Sequence, residues 1–591
     1  MRIVLGAVLA LSSAAAAAQQ TASQSGDDKP PIVVTGERNH GKPIPMSDWR
    51  VAETQHVLVY SKGDEKRLVN LARRLETLHF LLGMLFNRVD EQDETVKLRV
   101  TLIGDTADFD QLDLKSLRWQ RGPFPDAFPT QLYYDPREDG AVLATTDVDQ
   151  KVLLQQGVDL ASISTVVPDP DPNVTTPGRT FSDANGGAAG GTANEISYAL
   201  TAEGRIYAGF AQHYLMTYFP AAYPRWYLDG FGEMFSTIAT GPGVIEYGHA
   251  PEGFRKTIEW FGRFPLREVL NGNYLERKAR RPAWTPFHAW RLTHLLFFDE
   301  QWRVPLRRYL EAVARGAPAE EAAKALGDLN ALESAWNGYR GNKMPYERMT
   351  FPAERIGEPI VRRLTREQAD YARGRLILAA RAEIPPAPPA GADPKTAERM
   401  EKARRKALDA RVRWLAALRA DAARADAGVE AQLLLAEGAC RSGEAALCLS
   451  AADRALALAP GNTAALAWKG MALARQAAAA PAGERERALK AARSHIVRAN
   501  RADPEALVPL IAYHRSFADA GQAAPDVAVS GLMKANENVP SAPTTRLSLG
   551  SEIARRGDAV TARRILRPVA HGAYDSPEKP KAQEVLRTVA D

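Results

Sequence analysis

His213, Asp229 and Glu233 are the residues of this chain whose types and spacing come nearest to chemistry. An imidazole with two carboxylates can hold a divalent cation or move a proton. His213 lies in an apolar, aromatic run, residues 198–219. Both carboxylates lie in the run after Pro224, Arg225-Trp226-Tyr227-Leu228-Asp229-Gly230-Phe231-Gly232-Glu233. One imidazole with two carboxylates is a thin ligand set, and His213 reads first as a hydrogen-bonded structural residue. His288 and His294 are six apart in TPFHAWRLTHLLFF and do not share a helical face. His249, His495, His514 and His571 are isolated and read as surface or satisfied core. No Gly-x-Ser-x-Gly elbow occurs, and Gly186-Gly187 and Gly190-Gly191 lack the Lys and the strand–helix setting of a phosphate loop. Cys440 and Cys448 flank Gly443 far from any paired His, so they read either as a bridge across a turn or as two separate small core residues.

Two consecutive segments carry a further pattern. In H-E-[YF]-A-H-H, the i, i+4 histidines share one helical face, hold zinc, and leave the Glu to act on metal-bound water. Aligned to it, the chain reads Ala208-Gly209-Phe210-Ala211-Gln212-His213. The following W-x-x-E-G-x-x-E helix appears as Trp226 to Glu233, with Asp229 at the ligand position. Through these paired segments, the Tyr223-Pro224-Arg225-Trp226 entry and the later Phe287-His288-Ala289-Trp290 helix, residues 47–350 resemble gluzincin-type, peptidase-MA-like zinc metallopeptidases. The resemblance implies that Ala208 and Gln212 replace ligands, that Gly209 replaces the base, and that Glu233 belongs to the surrounding shell. Ala208 and Gly209 have no donor atom, and Gln212 offers a weak amide ligand. One residue is about 100° of helix, so His213 points away from the old metal position. A one-residue register shift restores no pair, since Gly209 and Phe210 then stand at the first ligand and the base. A replacement metal set can draw only on His213, Asp229 and Glu233. The cleft residues to examine are therefore His213, Asp229, Glu233 and Trp226, and the expected cofactor is none, with zinc only under the alternative of unconventional ligands.

The 591 residues suffice for several domains. With Lys and Arg numbering 76 and Asp and Glu 71, the formal charge is +5 and the signs interleave. This predicts no nucleic-acid partner, and the run Arg277 to Arg281 reads as a solvated face. Arg2, an apolar stretch from Ile3 to Leu11 and Ala16-Ala17-Ala18 predict a cleaved leader over 1–18. No later run approaches the length of a membrane span. The expectation is a periplasmic or secreted protein with no integral membrane segment after cleavage. Residues 19–46 are polar and rich in Pro, Gly and Ser. Residues 168–194, with four prolines and five glycines, predict a long loop, either a lid or an insertion.

The predicted fold class is α+β: a mainly helical zincin-like domain with a small N-terminal sheet over 47–350, then an α-solenoid. Residues 47–165 predict strand, long helix (Glu65 to Phe86), strand. From Glu195 helices dominate, with the degenerate ligand helix over Tyr198 to Phe219. Residues 351–428 read as linking helices with a Pro-rich hinge at 385–394. Over 429–591, Pro460, Pro504 and Pro540 recur in similar settings, and Gly443, Gly521 and Gly557 stand where inter-helix turns belong. This predicts about three tetratricopeptide-like units. Such arrays bind proteins or peptides. The expected function is a non-catalytic peptidase-like scaffold that binds partners through its cleft and repeats. The alternatives are a zinc hydrolase with unconventional ligands, and a repeat-based binding protein with a purely structural front domain.

Overall fold

The computed structural model describes residues 45–89, 96–117, 132–155, 165–168, 195–251, 265–272, 285–340 and 344–589. The expected leader, nearly all of the 19–46 segment, most of the 168–194 loop and the Arg277–Arg281 run lie outside the described residues. The architecture is a front part with an N-terminal sheet, then a long helical stretch. Among the described residues no helix is long and apolar enough to cross a membrane.

Strands β1 (Met46–Glu53), β2 (Val57–Ser61), β3 (Leu98–Ile103), β4 (Leu132–Asp135) and β5 (Val142–Thr146) share one sheet, in the order Ile360–Thr365, β1, β2, β3, β5, β4. β2, β3 and β5 run parallel, and β4 closes one edge antiparallel to β5. A parallel pair needs a crossover, and helix α1 (Glu65–Phe86) supplies it between β2 and β3. Asp64 caps α1 by accepting a bond from the Arg67 amide at 3.0 Å. Of the apolar positions at helical spacing, Leu68, Leu71, Ala72, Leu75, Leu78 and Leu82 are buried with Leu81, and Leu85 is half-buried. Each buried leucine contributes roughly 1.5–3 kcal/mol.

Three elements differ from expectation. Ile360–Thr365, read as linking helix, is a strand antiparallel to β1, with Arg50 opposite Arg363 and Ala52 opposite Val361. Its two arginines hid it, since edge strands use charge to blunt their open side. The ligand helix begins at Ala202, not Tyr198. Thr201 Oγ1 caps it by accepting from the Gly204 amide at 2.9 Å, and Glu195–Leu200 is a strand paired with Gln150–Gln155. The repeat region holds four helical hairpins rather than three. Their inner helices are Val429–Arg441, Thr463–Ala478, Leu507–Ala518 and Pro543–Arg555, and the outer ones are Ala445–Leu458, Ala482–Ala502, Asp526–Asn538 and Ala559–Ala570. The second hairpin was missed because its helices meet at residues 479–481 without the turn glycine that marks the other three. The irregular spacing comes from the 21-residue helix Ala482–Ala502, longer than its counterparts. Gly443, Gly521 and Gly557 take φ of +85°, +67° and +90° at the turns, a conformation that glycine adopts without strain.

Val429–Arg441, Thr463–Ala478 and Leu507–Ala518 pack in succession, and Arg366–Ala382 packs on Val429–Arg441 in the same row. The inner face of the helical stretch therefore starts before residue 429, inside the region read as a linker.

Candidate functional site: the motif helices and the closed inner face

The first motif helix, Ala202–Tyr218, packs against the second, Arg225–Phe235. A Cβ at Gly232 would lie 2.9 Å from the Ala208 carbonyl oxygen and 3.0 Å from Gln212 Nε2, so the helices touch where a ligand set would need room. Gln212 Nε2 donates to the Leu228 carbonyl at 2.9 Å. Its amide ties the helices together instead of facing a metal. Gly209 looks the other way: a Cβ there would meet Leu143 Cδ1 of β5 at 2.7 Å.

Asp229 Oδ2 accepts from Arg225 Nε at 2.7 Å, and the Arg225 guanidinium lies 4.6 Å over the Tyr574 ring near the C-terminus. Glu233 is half-buried on the same helix. His213 is turned toward the sheet, where Nδ1 meets the Tyr134 hydroxyl at 2.8 Å and Thr217 Oγ1 sits 3.4 Å from the ring. The two motif helices thus engage Gln212, not His213, at their contact. Trp226, expected at a cleft, is instead 1% exposed and donates Nε1 to Tyr309 at 3.1 Å; its large apolar ring belongs to the core. Of the other histidines, His294 is fully enclosed between Tyr339 and the Gly248 carbonyl, both at 2.8 Å.

His213 shares a small cavity, about 30 Å³, with His56 and His79. Glu76 Oε2 meets His56 Nδ1 at 2.6 Å, and His79 Nε2 meets the Tyr218 hydroxyl at 2.9 Å. Burial pushes the His213 imidazole down to about 4. Burial and the neighbouring His56 push His79 down to about 3. The His56 and His79 rings stack 3.5 Å apart at 12°. A metal bound by imidazole lies near the ring plane, about 2.1 Å from nitrogen. Two parallel planes at that separation cannot share one ion. Its outer wall is Asn538, Val539, Pro540 and Ser541, the turn before the fourth inner helix. The repeats therefore close the space beside His213.

A second contact is larger, and sequence reasoning missed it. The β4–β5 connection, Asp135-Pro136-Arg137-Glu138-Asp139-Gly140, is wholly buried against the inner helices. Arg137 Nε donates to Asp135 at 2.6 Å and Nη2 to the Leu376 carbonyl at 2.7 Å. Glu138 accepts from Arg515 at 2.8 Å and pairs with Arg441 at 3.4 Å. Asp139 pairs with Arg441 at 3.3 Å, with Arg99 at 3.6 Å, and with Arg375. Burial alone would raise the Glu437 carboxyl, but Arg375 and Arg441 beside it hold it below the usual range. The only advance signal was the acidic pair within a β-hairpin connection, where turns usually face water.

Cys440 and Cys448 form a disulfide with Cα atoms 5.1 Å apart, fixing the first hairpin. Among the described residues no group of three or more His, Cys, Asp or Glu is placed to hold a metal ion.

Compared with known proteins, the chain matches no family profile and no curated protein. Among solved structures, a thermophilic TPR protein from Thermus thermophilus aligns at 20% identity over 31% of this chain and 91% of its own, with a TM-score of 0.25.

Proposed function

We infer that this protein is a non-catalytic scaffold that binds protein partners through its helical repeats, with a peptidase-like front part as their rigid platform. The observation that carries this is the contact of the motif helices. Ala208 and Gly209 bring no donor atoms, Gln212 spends its amide on Leu228, and Gly232 closes the gap. A catalytic zinc is held by three protein ligands and activates the water it binds; these positions gather no such set, so the reading includes no cofactor. The cleft contributes less than its sequence suggests, because the turn 538–541 already lines the space beside His213. The inner helices retain an open cavity of about 310 Å³, lined among others by His514, Arg515, Thr545, Ser548, Ser551 and Arg555. Partners of the repeats enter there.

We further place the protein in the periplasm or outside the cell, with residues 1–18 removed. Support comes from the leader pattern of the sequence and from the buried Cys440–Cys448 bridge, since such bridges persist in oxidising compartments.

Two measurements test the reading. Purified protein should carry no stoichiometric zinc by elemental analysis, and tightly held zinc would return the hydrolase alternative. Cross-linked partner capture should be lost on Ser548→Arg with Ser551→Arg, at unchanged melting temperature. Undiminished capture would remove the repeats from the role.

A further inference from the structure

The fourth inner helix, Pro543–Arg555, carries a buried guanidinium that no carboxylate of the described residues matches. Arg546 is 5% exposed. Its Nε donates to the Pro540 carbonyl, and its Nη1 donates to the Ile565 carbonyl at 3.0 Å. Of the N–H groups that a guanidinium offers, those of Nη2 and the second one of Nη1 have no acceptor among the described residues. Burial lowers the Arg546 pKa to about 10, and no charged neighbour raises it again. Arg137, just as buried, is matched by Asp135 at 2.6 Å. Arg291 is also held by carbonyls, but its guanidinium covers the Trp336 ring. That of Arg546 faces a cavity.

This cavity, about 70 Å³ and partly open, lies between the fourth hairpin and the front part. Tyr223 and Leu228 wall it from the front part, and Pro540, Pro543 and Pro568 from the repeats. Arg546 is the only charged residue of its wall among the described residues. Carboxylates on residues adjoining the wall are engaged elsewhere: Asp229 with Arg225, Asp575 with Lys579, and Glu578 with the Thr544 hydroxyl. The helix Pro543–Arg555 also begins here, and Ala542 at its cap makes no side-chain bond. The positive end of its dipole therefore adds to the guanidinium.

We propose that this cavity binds a small monocarboxylate with a short apolar group, its carboxylate on the free end of the Arg546 fork and its apolar end against Leu228, Val569 and the prolines. A planar fork of N–H donors fits a carboxylate. A dianion would leave one buried negative charge unmatched by the single guanidinium, and such a charge is costly. The apolar walls call for an apolar group on the ligand. A water needs about 10–15 Å³ of such space, so the cavity takes the equivalent of roughly five waters, enough for a short-chain acid and too little for a polypeptide segment. Both parts of the chain supply the wall, so the ligand also ties the fourth hairpin to the motif helices. This site is independent of the protein-binding reading of the repeats, since no macromolecular partner enters it.

The test titrates sodium butyrate into the full-length protein by ligand-detected NMR at constant ionic strength, with butyramide as its uncharged counterpart. Butyrate should bind with a Kd on the order of 1 mM or tighter, within reach of a ligand this small. Butyramide should bind at least about ten-fold more weakly, the loss expected when hydrogen bonds to a charged group are weakened. Sulfate at equal concentration should not displace butyrate. Arg546→Met should weaken butyrate binding by at least about ten-fold for the same reason. Equal binding of butyrate and butyramide, displacement by sulfate, or undiminished binding to Arg546→Met overturns the proposal, as does an absence of butyrate binding at about ten times the expected Kd. Should Arg546→Met not fold by circular dichroism, Ala573→Leu decides, because it takes up space in the cavity and keeps the guanidinium. Butyrate binding should then fall at least about ten-fold, as overfilling a closely packed wall predicts, and unchanged binding overturns the proposal. Lost butyrate binding in these variants with partner capture intact would leave the scaffold reading standing and place the ligand here.

Discussion

Arg515, in the third inner helix, grips Glu138 of the β4–β5 connection through both terminal nitrogens, at 2.8 and 3.4 Å. The two residues lie 377 apart in sequence. Glu138 raises the Arg515 guanidinium's pKa first of all its neighbours, against the lowering effect of burial. The front part and the repeats are thereby one electrostatic unit.

Removing one partner of that unit should be costly. Breaking a buried pair leaves the other charge unpaired and typically costs about 3–5 kcal/mol. Arg441→Met leaves Glu138 to Arg515, Asp139 to Arg375 and Arg99, and Glu437 to Arg375, so it should cost less than that range, about 1.5–3 kcal/mol in urea unfolding. A loss under about 1 kcal/mol would mean that water already compensates these charges.

Acid should loosen the seal beside His213. The folded pKa values of His213 and His79 lie near 4 and 3, below the usual histidine value of about 6.5. The unfolded chain then binds protons first as pH falls. Stability is full above about 6.5 and drops between 6.5 and 4, by at most about 1.4 kcal/mol per pH unit for each group. The groups facing this pocket are Glu76, His56, Arg88, Tyr134, Thr217 and Tyr218. His213→Gln should flatten the dependence of melting temperature on pH. An unchanged slope would assign the effect to other groups.

A side chain at position 209 should demand room from the sheet. Gly209→Ala places its Cβ 2.7 Å from Leu143 Cδ1, and overpacking of this kind costs about 1–3 kcal/mol. Leu143→Ala in the same chain should absorb part of that cost, so the double variant loses less than the two single losses added. Simple additivity in chemical denaturation would show that position 209 does not press on β5.

The Cys440–Cys448 bridge closes a short loop, with a sequence separation of 8. In the chain-entropy account such a loop contributes about 2–3 kcal/mol. Serine at both positions should lower the melting temperature accordingly and place Arg441, the next residue, in a less fixed helix end. A variant as stable as the parent would show that packing alone holds the first hairpin.

Some of this was legible in the residues. The leucine period of α1 gave that helix its bounds, and the turn glycines 443, 521 and 557 marked three inter-helix turns. Ile360–Thr365 was not legible, because two arginines and an exposed isoleucine look like surface helix until β1 is known to need a partner. That Ala208 and Gly209 carry no donor atom could be read directly. What fills the space could not, since Gln212 to Leu228 and Glu138 to Arg515 are tertiary contacts without local periodicity. Trp226 was misplaced because an aromatic residue in a motif looks the same whether it lines a groove or a core.

The sheet order has a consequence for how the chain is made. β1 ends near residue 53, yet the strand that covers its outer side begins at Ile360. During synthesis at about 5–20 residues per second, that side stays bare for roughly 15–60 s while some three hundred residues follow. A bare strand edge invites neighbouring chains to pair with it. The edge of β1 thus depends on a segment some three hundred residues later, and fragments ending before residue 360 should clump rather than dissolve.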